Sequence, residues 1–297
     1  MRINKTVAYS AAVALVGVTV AVVTSSADAA PAPAAAQVPA YGMGLDITSI
    51  RQNRGLAAPA ETAQPVFAAA AAAAVPESFD LSQYALPPGN QGQVGSCVTW
   101  ATGYTGYGIL MKEQGIAGAP MAPMFIYAQI SKGNDRGTSA SVALPMEQRQ
   151  GIDTKAHYSH GDFDYTTQPN AAERANAAKY KLSGFNELPT SGSAAKTAIK
   201  KAISQGMPVP IGVQIHKSFM NVSSTKAANY SYLPGSRASD PIVGGHEITV
   251  IGYEARGVKI ENSWGTSWGA RGFITVPWSF FDTGDVMEIH AMGKLVK

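Results

Sequence analysis

Cys97 is the only cysteine in this 297-residue chain, so it cannot form an intramolecular disulfide. It is either a buried small hydrophobic side chain or a reactive thiol. The cysteine count alone slightly favours a buried, packed side chain, because free cysteine is among the most buried residue types. A thiol is a good nucleophile as its thiolate, and a helix N-terminus or a nearby imidazolium lowers its pKa. The residues around Cys97 therefore decide between the two.

Two features near Cys97 favour chemistry. Apolar residues recur at helical spacing after it until Gln114–Gly115, which predicts a helix that begins at Cys97. The small side chains of Gly95 and Ser96 would let a substrate backbone come close. Gln91 precedes them in a glycine-rich turn, and its amide, with the backbone N–H of Cys97, would donate to an oxyanion formed when the thiolate attacks a carbonyl.

A predicted hairpin supplies the partners of the thiol. His246 opens an alternating run to Tyr253, Val258 to Asn262 alternates again, and residues 254–257 form a turn between them. An antiparallel ladder closed there brings His246 close to Asn262, which would fix the histidine tautomer. Trp264 would shield that hydrogen bond from water. Taken singly, each has a plain structural explanation: a satisfied histidine, a strand end and a core tryptophan.

Other periodicities complete the plan. Ser193 as N-cap, an apolar stripe and Gly206 predict a second helix, and alternation predicts strands at Ile211–Ile215 and Phe273–Val276. Helices thus dominate the first half, and an antiparallel sheet dominates the second.

Three motifs in this order resemble the papain family of cysteine peptidases. They are Asn90-Gln91-Gly92-Gln93-Val94-Gly95-Ser96-Cys97, Gly244-Gly245-His246, and Glu261-Asn262-Ser263-Trp264-Gly265-Thr266-Ser267-Trp268-Gly269. The resemblance implies an α+β fold, with a helical half at about 76–182, a barrel-like antiparallel half at about 183–297 and a cleft between them. It also implies that Cys97 is the nucleophile, His246 the general base and acid, Asn262 the orienting residue and Gln91 the oxyanion donor.

The resemblance also implies which residues contact the substrate. It places Gly95, Ser96, Gly245 and Trp268 at the substrate, and Gly137 where the family pairs a glycine backbone with it. Thr138 stands where a second glycine is usual. The floor of the pocket for the side chain two residues before the cut falls within 278–292, so the preferred side chain stays open.

Residues 1–30 have a basic start, an apolar run and an Ala-x-Ala site, which predict a secretory signal peptide; an uncleaved membrane anchor is the alternative. Residues 31–75 are rich in alanine and proline, as in a pro-segment or linker. The stretch 41–54 is the part best suited to cover a cleft and keep a zymogen inactive, although the family's long helical pro-peptide pattern is missing. Val94 also replaces a cysteine that pairs in the family.

We therefore expect a secreted, monomeric cysteine peptidase, by default an endopeptidase, that acts on proteins or peptides through a thioester. A Cys–His acyltransferase and a catalytically inactive peptide-binding relative are the alternatives. A net charge of +3 without charge blocks indicates no nucleic-acid partner. No cofactor or metal is expected, because His160, Asp162 and Asp164 form a loop without ligand spacing.

Overall fold

The computed structural model describes residues 41–53 and 74–296. The predicted signal peptide (1–30) lies outside the described residues, as do residues 31–40 and 54–73 of the predicted pro-segment. Within the described part, no helix is long and apolar enough to cross a membrane.

Helices dominate the first half of the described chain, and strands dominate the second half. The helices are α1 (Ile47–Asn53), α2 (Cys97–Thr99), α3 (Tyr107–Gln114), α4 (Pro123–Ser131), α5 (Ala140–Gln150), α6 (Ala171–Ala177), α7 (Gly192–Ser204), α8 (Lys217–Met220) and α9 (Ser224–Ala227). The strands are β1 (Phe79–Asp80), β2 (Phe185–Glu187), β3 (Val209–His216), β4 (Ile242–Tyr253), β5 (Gly257–Glu261), β6 (Phe273–Pro277) and β7 (Val286–Met292). The predicted α+β class is confirmed.

The strands form one antiparallel sheet in the order β2-β7-β3-β4-β5-β6, with β1 pairing with β4. The hairpin of β4 and β5 is confirmed, with Thr249 opposite Glu261. β4 starts at Ile242, four residues before the predicted start at His246, because its first residues pair with β3. His246 thus lies inside a paired strand, where the ladder fixes its backbone.

The helix predicted from Cys97 to Gln114 is present, but it changes type along its length. Residues Trp100–Gly106 form a π-helix between α2 and α3, and Gly115 ends the run in the left-handed conformation. Two buried glutamates hold this helix from opposite sides. Thr102 donates to Glu147 of α5 at 2.5 Å, and Thr105 donates to Glu261 of β5 at 3.1 Å.

Two hydrophobic cores flank the central helix. One joins the sheet to α7, and the other joins α3, α4 and α5. The apolar stripe predicted for α7 is confirmed, because Ala195, Ile199, Ala202 and Ile203 are buried. Its predicted N-cap was wrong by two residues: Ser191 takes that place and the helix begins at Gly192.

Candidate active site

His246, Asn262 and Trp264 form one rigid group on the β4–β5 hairpin and the residues after it. The Nε2 atom of His246 lies 2.7 Å from Oδ1 of Asn262, which also accepts the backbone N–H of Ser263 at 2.7 Å. The Trp264 indole stacks on the imidazole with ring centroids 4.4 Å apart. Because an oxygen acceptor requires the proton on Nε2, the lone pair of His246 is on Nδ1.

Cys97 begins the central helix and is fully buried. Burial raises the pKa of its thiol strongly, and the nearby Glu247 carboxyl raises it further, whereas the backbone N–H groups of Glu247 and Val98 interact with the sulfur and lower it. Glu247 directly follows His246, so this contact brings the sulfur next to the histidine. Burial also lowers the pKa of His246 to about 4. In this arrangement both groups are neutral at pH 7.

Gln91 is fully buried in the loop before Cys97. Its side-chain oxygen accepts the Ser263 hydroxyl at 2.7 Å, and its Nε2 donates to the Val94 carbonyl at 2.9 Å. These two bonds fix the orientation of the Gln91 amide, because Val94 lies in the loop before Cys97 and Ser263 follows Asn262. An amide nitrogen has two hydrogens, so one remains for the predicted oxyanion role, which stays a prediction.

Sequence reasoning missed the link between the two loops on the helical side of the cleft. Asp135 accepts the N–H of Gly95 with both carboxylate oxygens, at 3.0 and 3.1 Å, and also accepts the Tyr127 hydroxyl. Tyr127 in turn accepts the N–H of Gly137 at 3.0 Å. Three polar contacts thereby join the loop of Cys97 to residues 135–138. An exposed aspartate in a loop gives no periodic signal that would have identified it.

Residues 41–46 lie directly across this site. The N–H of Gly42 donates to the Gly92 carbonyl at 2.8 Å, and the Trp264 indole donates to the Gly42 carbonyl at 2.9 Å. The N–H groups of Gly44 and Leu45 both donate to the Gly245 carbonyl at 3.1 Å. A Cβ built on Gly44 would lie 2.0 Å from the Gly95 carbonyl oxygen, so only glycine fits here. The segment therefore covers the thiol and the histidine.

The backbone pairing expected of Gly137 falls on Thr138 instead. Thr138 donates to the Gly44 carbonyl and accepts the N–H of Asp46, both at 2.8 Å. The N–H of Gly137 is already bound to Tyr127 and cannot join the ladder. Thr138 thus makes the backbone pairing with the covering segment, and the substrate contact predicted for Gly137 stays a prediction.

Trp268 lies beneath Trp264 and not at the cleft surface. It is 2% exposed, its indole donates to the Phe219 carbonyl at 3.1 Å, and its ring meets Trp264 edge-on with centroids 5.5 Å apart. It supports Trp264 in this arrangement, and its predicted contact with substrate stays a prediction. Ser96, directly before Cys97, is also fully buried, and its predicted contact with substrate stays a prediction.

The loop that contains His160, Asp162 and Asp164 makes local polar contacts. His160 lies 3.3 Å from Glu173, and Asp162 pairs with Lys155 at 2.6 Å. Among residues 41–53 and 74–296, no group of three or more histidine, cysteine or acidic side chains is placed to hold a metal ion.

Comparison with known proteins identifies the family. The sequence profile of the papain family cysteine proteases matches residues 75–279. The chain therefore belongs to this family, and it is a cysteine peptidase that acts on protein substrates.

Individual relatives are distant. An uncharacterised peptidase C1-like protein of Acanthamoeba polyphaga mimivirus is 24% identical over 68% of this chain and 69% of its own length. Mouse cathepsin K is 28% identical over 67% of this chain, and the match spans 59% of cathepsin K. The matches to the cathepsin relatives span about three fifths of the length of those proteins.

Solved structures share the fold. Xylellain, a cysteine protease from Xylella fastidiosa, matches with a TM-score of 0.68 and 19% identity, covering 88% of this chain and 97% of xylellain. Digestive procathepsin L 3 of Tenebrio molitor matches with a TM-score of 0.59 and 18% identity, covering 78% of this chain and 75% of that chain. Both likenesses show the papain-like fold.

Proposed function

We propose that this chain is an exported endopeptidase that cleaves peptide bonds with Cys97, His246 and Asn262. The observation that carries the proposal is the His246–Asn262 hydrogen bond, which directs Nδ1 of the histidine away from Asn262 and leaves it without a partner within the described residues. A general base with a fixed tautomer beside a helix-terminal thiol is the arrangement that acyl transfer through sulfur requires.

The reaction follows from these positions. The thiol proton passes to Nδ1 of His246, and the Cys97 sulfur bonds to the peptide carbonyl carbon. The backbone N–H of Cys97 and the free amide hydrogen of Gln91 stabilise the oxyanion. The imidazolium then gives its proton to the departing amine, which leaves a thioester. Water, deprotonated by His246, attacks the thioester and releases the acid and the thiol.

Residues 41–46 act as the inhibitory part of a pro-segment. Their backbone pairs with Thr138 and Gly245, and Tyr41 stacks on Trp264 with centroids 4.7 Å apart and planes 10° from parallel. These contacts use the groups that an extended peptide substrate would use. The neutral thiol and imidazole beneath them favour a resting state, since the thiolate–imidazolium pair needs polar surroundings that the covered site lacks.

Export rests on the sequence of residues 1–30. The signal predicts delivery outside the cytoplasm, where a lone cysteine is free of disulfide exchange within its own chain. Mass spectrometry of protein secreted by the native host tests it: an N-terminus at residue 30 or 31, or further along, supports export, and an intact Met1 contradicts it.

Labelling tests the catalytic assignment. The chain is cleaved within residues 54–75 by limited proteolysis and treated with an epoxide inhibitor of cysteine peptidases. We expect one adduct, on Cys97, together with loss of hydrolysis of a mixed peptide library. The Cys97→Ala protein serves as control and should show neither. Hydrolysis that survives in Cys97→Ala would contradict the proposal.

A further inference from the structure

Two buried carboxyl groups lie beside the nucleophile and take no part in the reaction described above. Glu247 is fully buried on β4, and Glu288 is 4% exposed on β7. Both stand opposite Gly212 of β3, which is the neighbour of each strand. Residues paired across adjacent strands share a face of the sheet, so both carboxyls lie on the same side.

Gly212 leaves room for these carboxyls to meet. A Cβ built on Gly212 would lie 2.7 Å from Cγ of Glu288 and 2.8 Å from Oε2 of Glu247. The same point lies 2.9 Å from Cδ2 of Leu45 in the covering segment. The Leu45 side chain thus occupies a pocket whose floor is Gly212 flanked by two carboxyl groups, and we call it the Leu45 pocket.

The apolar Leu45 side chain offers no hydrogen-bond donor to the two carboxyl groups in this floor. No N–H donor reaches either carboxyl oxygen of Glu247 within the described residues, and Glu247 interacts with the neighbouring Glu288 carboxyl instead. Glu288 accepts the backbone N–H of Ala140 at 2.9 Å and also interacts with that of Ser141. Burial and the neighbouring Glu288 raise the pKa of Glu247, and burial raises the pKa of Glu288 to about 7. Two buried carboxyl groups that pair mainly with each other are costly to ionise, which points to a ligand with N–H donors in place of Leu45.

We propose that the Leu45 pocket selects substrates with a basic side chain, arginine above lysine, at the position that replaces Leu45. The planar guanidinium presents paired N–H donors that fit two carboxylates, whereas the lysine ammonium is a point charge. Glu288 lies within 278–292, where the sequence resemblance expects the floor of the pocket for the residue two before the cut. The inference rests on the proposed peptidase function and names its substrate class.

The test is a substrate series with the full chain after cleavage within residues 54–75. N-blocked peptides differing only at the residue two before the cut, with arginine, lysine, leucine or glutamine there, are compared by kcat/KM. We expect arginine to exceed leucine by about tenfold or more, as for a charge paired in a partly buried site. Leucine equal to or above arginine would overturn the proposal.

Variants tie the preference to the floor. Glu288→Gln and Glu247→Gln should each lower the ratio of kcat/KM for arginine over leucine by roughly tenfold or more. Glu147→Gln is the matched control: this buried carboxyl on α5 bonds Thr102 and is not paired with Gly212, so the ratio should not change. A ratio that stays constant in both pocket variants would contradict the proposal.

A second measurement does not depend on the folding of these variants. In the intact full chain, Leu45→Arg should slow alkylation of Cys97 by iodoacetamide relative to Leu45→Met, because the arginine pairs with the carboxyls and holds the segment in place. Equal or faster alkylation in Leu45→Arg would overturn the pocket assignment. If the cleaved chain hydrolyses no peptide at all, the proposed function fails; if it cleaves without a basic preference, only this inference fails.

Discussion

The two walls of the cleft are built by different means. The sheet wall holds His246 within a paired strand and adds a side-chain hydrogen bond and an indole stack. The helical wall presents Cys97 at the start of the central helix, and Asp135 and Tyr127 tie the loop before it to the loop of Thr138. A ladder positions a group through many backbone bonds, whereas the loops depend on a few side-chain contacts. We therefore expect the sheet wall to tolerate change in its surroundings better than the helical wall.

Removing the imidazole is the most severe change on the sheet wall. His246→Ala leaves Cys97 without a base or acid, so kcat/KM should fall by about 10³-fold or more. Hydrolysis of a good peptide substrate by the cleaved chain measures this. His157→Ala is the matched control, because His157 pairs with Asp153 in a loop and should retain full activity. Substantial activity in His246→Ala would exclude His246 as the base.

Removing Asn262 tests how much of the sheet wall's function comes from orientation. Asn262→Ala deletes the acceptor of Nε2 and should lower kcat/KM by roughly 10²-fold, because the tautomer and ring orientation are no longer fixed. The Asn262 bond also raises the pKa of His246 against the effect of burial. The pH–rate profile of the variant should therefore shift its acidic limb to lower pH. An unchanged profile together with unchanged kcat/KM would show that the ladder alone positions the histidine.

On the helical wall, Asp135→Ala tests the link between loops. It releases Gly95 and Tyr127, and we expect KM to rise by roughly tenfold, with a melting temperature about 2–4 °C lower. Asp164→Ala, which removes a partly buried loop aspartate that accepts hydrogen bonds from Thr166 and Thr167, is the control. Tyr127→Phe breaks the same link, so the double variant should lose less than the sum of the singles. Full additivity would mean that the two residues act independently.

The smallest effects concern the carboxyls that hold the central helix to each wall. Burial raises the pKa of both Glu147 and Glu261 to about 8. Because the folded state retains these protons above the unfolded pKa near 4.5, the stability they contribute is complete below pH 4.5 and is lost as pH rises towards 8. The melting temperature of Glu147→Gln or Glu261→Gln should fall less between pH 5 and 8 than that of the unchanged chain.

Burial of two histidines gives a pH dependence of folding stability with the opposite sign. Burial lowers the pKa of His246 and His290 to about 4, so their contribution is present above about pH 6.5 and is lost as pH falls towards 4. If the melting temperature of Glu147→Gln or Glu261→Gln changes between pH 5 and 8 as it does in the unchanged chain, the interpretation of these groups as buried carboxyls is contradicted.

Sequence predicted the sheet wall in detail because each of its features repeats. Alternation located β4 and β5, the turn between them set the hairpin, and the hairpin placed His246 near Asn262. The helix from Cys97 was equally visible from its apolar spacing. Its π-helical turn was not, because that depends on contacts with Thr249, Glu147 and Glu261 that arrive from distant parts of the chain.

The sequence of the loops predicted fewer of the contacts that their residues make. Asp135 gives no sign in sequence that it will meet Gly95, forty residues away. Pairing through Thr138 in place of Gly137 follows from the Tyr127 hydroxyl, which sequence reasoning did not connect to that loop. The Glu247–Gly212–Glu288 row needs the register of three strands, two of them joined only through long connections. Each of these features depends on tertiary position and not on local pattern.

The pH dependence of Cys97 alkylation tests the central claim most directly. Iodoacetamide is applied across pH 4 to 10 to the full chain before and after cleavage within residues 54–75. The account predicts slow alkylation at every pH before cleavage, and afterwards fast alkylation that is already at its plateau well below the free-thiol pKa of about 8.5. Alkylation of the cleaved chain that rises only above that pH would show that Cys97 and His246 do not form a reactive pair.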